Sequence, residues 1–76
     1  MSRGPQQTRF YELAGEAAQD RLGELAVRLR RAGAHTHVLA SRDREGLYLL
    51  VAEAEQLGDL DPPAGCRVWT FVRVGP

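Results

Sequence analysis

The segment Leu47-Tyr48-Leu49-Leu50-Val51-Ala52 is apolar at every position. Successive side chains on a β-strand point to opposite faces. Leu47, Leu49 and Val51 therefore share one face, and Tyr48, Leu50 and Ala52 the other. A strand apolar on both sides is normally covered on both sides, unlike a half-solvated antiparallel strand. Whatever this chain folds into must supply two covers.

A 76-residue chain has little to cover with. At this length folding buries only about 60% of the extended chain's surface, which allows one core of one or two layers. Residues 1–7 carry no apolar run and are expected to form a flexible tail, leaving 8–76 as a single domain. Tyr11, Gly15, Ala18, Leu22, Leu25, Leu29 and Ala32 step by fours and threes. That spacing predicts one long helix over 8–32, with Thr8 as N-cap and Gly33 as its left-handed stop. Glu12, Glu16, Asp20 and Glu24 would line it as an i,i+4 ladder of like charge, and Arg28, Arg30 and Arg31 would crowd its last turn.

After Gly33 the period changes to two. Strands are expected over 35–41, 47–53 and 67–74. The polar residues 42–46 join the first two as a hairpin, with Gly46 available for positive φ. A short helical turn is expected over 53–57, ended by Gly58, and Asp61-Pro62-Pro63-Ala64-Gly65 forms a rigid turn into the last strand. Leu57 and Leu60 cap one end of the core. The expected architecture is two-layer α+β, one long N-terminal helix on a three-stranded, mainly antiparallel sheet in the order α-β-β-β.

One helix shields one face of such a sheet. The other would expose several hundred Å² of apolar surface, which monomers rarely do. A second copy of the chain is the nearest cover, and two-fold pairing is the commonest arrangement. Tyr48, Leu50, Trp69 and Phe71 are the expected interface residues, with the helix seam as another route to a dimer.

Ten Arg balance ten Asp and Glu, giving a formal net charge of zero. Bulk attraction to nucleic acid or to an anionic membrane is thereby disfavoured. The chain has no Lys, Asn or Ile; these residues share AT-rich codons, so a GC-rich bacterial genome accounts for the bias. The single cysteine, Cys66, allows no internal disulfide, and no apolar stretch is long enough to span a bilayer. A cytoplasmic location is expected.

Local chemistry offers two weaker candidates. Arg67, Trp69, Phe71 and Arg73 alternate on one strand face, and aromatic rings flanked by guanidinium groups are how several sheet domains stack single-stranded bases. The competing reading makes the rings core or dimer contact, with the arginines at its rim. His35 and His37 would point the same way from a strand, a spacing that suits metal ligation, with Cys66 as a distant third ligand. Cys66 has no sequence neighbour that would activate a thiolate. Nucleophile-elbow, P-loop and dinucleotide motifs do not occur. The expected function is accordingly a non-enzymatic homodimerisation module without a cofactor, with single-stranded nucleic-acid binding as the alternative and a His-pair ligand or metal site as a minor one.

Overall fold

The computed structural model describes residues 6–58 and 60–75. Its elements run β1 (Gln7–Ala14), α1 (Ala18–Arg31), β2 (His35–Ala40), β3 (Leu47–Ala54) and β4 (Arg67–Val72). The class is α+β, one helix on an antiparallel sheet, but the sheet has four strands in the order β2-β3-β1-β4.

The additional strand is cut from the front of the expected helix. Residues 7–14 alternate Thr8, Phe10 and Glu12 against Arg9, Tyr11 and Leu13, with β-favouring Thr, Phe and Tyr at their centre. Gly15 then takes φ +121°, a conformation that only glycine adopts readily and through which no helix can run. Its N–H donates to the Gly46 carbonyl, tying the end of β1 to the start of β3. Thr8 is therefore a strand residue rather than a cap, and Ala17 precedes the helix without any side-chain cap. The carboxylate ladder dissolves as well. Glu12 sits on β1 and Glu16 in the turn, leaving only Asp20 and Glu24 on α1. Gln7 belongs to the sheet, and Gln6 accepts a hydrogen bond from the Arg73 N–H. Of the expected tail, residues 1–5 lie outside the described residues.

The glycine signals match. Gly33 ends the helix at φ +101°, Gly46 turns the β2–β3 hairpin at φ +81°, and Gly65 turns into β4 at φ +82°. The helical turn expected over 53–57 does not form, because β3 continues through Ala54 and a bend follows.

β1 pairs antiparallel with both β3 and β4, and β2 pairs antiparallel with β3. β1 and β2 thus run parallel with β3 inserted between them, joined by the α1 crossover. Ala18, Leu22, Leu25, Ala26 and Leu29 bury the helix seam against Tyr11, Leu13, Leu50 and Ala52. The heptad-like spacing is used up inside the molecule and does not form a coiled-coil face. Leu57 closes the same core, with Leu60 packed partly against it.

A helix is about 10 Å across, whereas four strands spaced about 4.8 Å apart span roughly twice that. α1 accordingly packs on β1, β2 and β3 and does not reach β4. All six residues of β4 are exposed.

Candidate functional site

The strand registers fix which residues share the uncovered face. Phe10 lies opposite Val51 on one side and Trp69 on the other, and Val51 lies opposite His37. The next row toward the hairpin holds Leu39, Leu49, Glu12 and Arg67. The row on the other side holds His35, Glu53, Thr8 and Phe71. An apolar band therefore crosses all four strands. Trp69 is 38% and Phe71 56% exposed, and Leu39 is half-exposed.

The β4 end of this band is organised. Phe71 meets Phe10 edge-to-face, with ring centroids 5.5 Å apart, an arrangement that aligns ring edge with ring face. The Arg67 guanidinium lies over the Trp69 ring at 5.2 Å. It also stands 3.8 Å from the Glu12 carboxylate. On the other side of the sheet, Arg9 Nε donates to Thr70 Oγ1 at 2.7 Å and Arg9 Nη1 donates to the Gly58 carbonyl at 2.8 Å. Those bonds pin to β1 both β4 and the loop that leads into it from β3.

Of the expected interface residues, the fold brings Trp69 and Phe71 together on the open face and puts Tyr48 and Leu50 on the other. Leu50 is fully buried beneath α1, and Tyr48 packs partly against the core. Alternation separates the two pairs, because the register places Leu50 opposite Tyr11, a core residue. Phe10, Leu49 and Val51 occupy the corresponding positions of the open face. Phe10 lies in the stretch whose spacing predicts a helix, which conceals its place on this face.

Within the Arg/aromatic set, Arg67, Trp69 and Phe71 share the open face of β4, while Arg73 follows the strand and is exposed. The Arg67 cation thus lies over the tryptophan ring and beside a carboxylate. His35 and His37 stand on β2, at the opposite edge of the sheet from Cys66 and β4. Three strand spacings, about 14 Å, separate those edges, so Cys66 cannot complete a ligand set with the pair. No group of three or more His, Cys, Asp or Glu suited to a metal ion occurs among the described residues.

Cys66 is half-buried, and burial pushes its thiol above the ordinary value; Arg21 pulls it back and Glu12 pushes it further up. It is a protonated thiol at neutral pH, not a poised nucleophile. A cleft of about 230 Å³ between α1 and the loop is lined by Arg21, Arg28, Glu24 and Asp61, whose charges offset one another. No helix of the described residues is long and apolar enough to cross a membrane.

Comparison with known protein families, with curated proteins and with solved structures finds no match for this chain.

Proposed function

We propose that the chain is a non-enzymatic self-association module, and that β4 with the aromatic surface around it is where two copies meet. The carrying observation is that β4, reading Val-Trp-Thr-Phe-Val, is exposed on both faces: α1 stops short of it on the side of Val68 and Val72, and none of the described elements covers Trp69 and Phe71 on the other. Trp69 and Phe71, continued by Phe10 on the open face, and Val68 and Val72 on the other face leave apolar surface exposed on both sides of one strand, the kind of surface that marks an interaction site. A second copy suits this surface electrostatically. The chain has zero formal net charge, so two copies approach without long-range repulsion. The local charges of Glu12 and Arg67 are already paired.

Nucleic acid suits it less well, since Arg67 is engaged by both Trp69 and Glu12. We place the module in the cytoplasm, in keeping with a single cysteine, which allows no internal disulfide. Light scattering or sedimentation equilibrium from low to high micromolar protein tests the proposal. A reversible monomer–dimer equilibrium is expected, and a monomer throughout that range overturns it.

A further inference from the structure

Among the described residues β4 is an edge strand, with β1 on one side only. Edge strands are normally protected from pairing by charged side chains, Pro, bulges or a covering element. β4 contains no Pro, α1 does not reach it, and its charges stand only at its two ends, Arg67 at the start and Arg73 just beyond.

Which backbone groups face outward follows from one bond. The Arg73 N–H donates to the Gln6 carbonyl, so in this antiparallel ladder Gln6 and Arg73 form a hydrogen-bonded pair. Such pairs recur at every second residue. Arg67, Trp69 and Phe71 therefore spend their N–H and C=O groups on Glu12, Phe10 and Thr8, their partners in the register. The backbone groups of Val68, Thr70 and Val72 point away from the sheet.

The strand is also close to a palindrome. Arg67-Val68-Trp69-Thr70-Phe71-Val72-Arg73 reads the same in both directions when Trp and Phe count alike. Antiparallel pairing of a strand with its own copy about a two-fold axis places residue 70 + n opposite residue 70 − n of the partner. In a palindrome each residue then faces its own kind, valine opposite valine and aromatic opposite aromatic.

We infer that two copies join edge to edge through β4, with Thr70 on the two-fold axis, to form one continuous eight-stranded sheet. This inference rests on the self-association proposed above and names its geometry. Val68 faces the partner's Val72, Thr70 faces the partner's Thr70, and Trp69 faces the partner's Phe71. The three outward-facing residues exchange up to about six backbone hydrogen bonds. β-branched pairs form on the helix side of the sheet and aromatic pairs on the open side, both favourable across strands. Thr70 Oγ1 accepts from Arg9, which leaves its hydroxyl proton to donate across the axis. Arg67 opposite the partner's Arg73 is a like-charge pair that the two-fold axis repeats, and Glu12 beside Arg67 offsets it in each copy.

Cysteine placement reads this register directly. In a Cys66→Ser background, Thr70→Cys sits about 5.5 Å from its own counterpart, Cα to Cα, within disulfide reach. Val68→Cys lies four residues, about 13 Å, from its own counterpart but opposite the partner's residue 72. Under mild oxidation Thr70→Cys is expected to run mostly as a linked dimer, and Val68→Cys alone to stay unlinked. An equimolar mixture of Val68→Cys and Val72→Cys should link. Val68→Pro removes an outward N–H without costing β1 a bond, and is expected to weaken association at least tenfold with unchanged circular dichroism. A dimer in which Thr70→Cys stays unlinked overturns the edge pairing and leaves self-association standing. A monomer at high micromolar concentration overturns both.

Discussion

Phe71 stands edge-on to Phe10, 5.5 Å between ring centroids, across the β1–β4 pair. Because β4 touches no helix, this contact is one of few that hold the strand's open face in place. It also prearranges the surface offered to a second copy, so Phe71 should matter more to association than to folding. Phe71→Ser, at a residue more than half exposed, is expected to shift melting by no more than a few degrees while weakening self-association at least tenfold. Sedimentation velocity and thermal unfolding of the same samples separate the two effects. In the unaltered protein, Trp69 emission should move to shorter wavelength as concentration rises, because the ring leaves water.

Two glycines that look alike in the sequence should respond in opposite directions to the same change. Gly15 has φ +121° with nothing near an added Cβ, so Gly15→Ala meets backbone strain alone. The expected cost is about 1–3 kcal/mol. Gly23 lies inside α1, and its added Cβ also meets open space. Gly23→Ala should stabilise by about 0.5–1 kcal/mol, the difference in helix propensity. Urea denaturation of both variants checks the contrast, and a stabilised Gly15→Ala would mean that residues 14–16 are not the turn described.

The same glycine marks the limit of what the sequence could reveal. The hairpin at Gly46, the helix end at Gly33 and the turn at Gly65 are local events, each set by a residue that tolerates positive φ. They were legible for that reason. Tyr11 and Gly15 fall in step with Ala18, Leu22, Leu25 and Leu29, so the helical period extends seamlessly over a segment that folds as a strand. Long-range pairing decides otherwise, since residues 7–14 have β3 on one side and β4 on the other. The expectation of an uncovered apolar face rests on β3, Trp69 and Phe71, whose two-residue period is legible without β1. The face of each strand that meets the helix depends on β1, so Leu50 could not be told apart from Val51 in advance.

Thr36 provides a core prediction. Its Oγ1 is buried without a hydrogen-bond partner among the described residues, at the position of β2 paired with Ala52. A buried hydroxyl without a partner carries a desolvation cost that no contact offsets. Thr36→Val keeps the β-branched shape and removes the hydroxyl, so it should stabilise by about 1 kcal/mol. A loss of stability in urea denaturation would place a partner on that oxygen.

Cys66 makes stability depend on alkaline pH. Burial raises its thiol above the ordinary value, more than the nearby Arg21 lowers it. A raised folded-state value favours the protonated form in the native state. The resulting contribution is fully present below the unfolded thiol's pKa and is lost as pH rises through the folded one. Folding stability should therefore fall above pH 9, and Cys66→Ala should remove that part of the fall. Alkylation by iodoacetamide at pH 8 is expected to run slower in the native protein than in the urea-unfolded chain.

Trp69 is the only tryptophan, and its emission discriminates the self-association reading from the nucleic-acid one. Base stacking requires a free ring face and a cation available to phosphate. Here Arg67 lies over the ring at 5.2 Å and stands 3.8 Å from Glu12, so a phosphate approaching Arg67 meets a carboxylate already there. Titration with oligothymidylate at low salt is expected to leave Trp69 fluorescence unchanged. The monomer population should be the more responsive one, because edge pairing places Trp69 against the partner's Phe71. The titration therefore belongs at submicromolar protein, where dilution favours monomer. Saturable quenching there that disappears as salt rises would reverse the order of the two readings. The open face of β4 would then be a stacking platform, and its palindrome incidental.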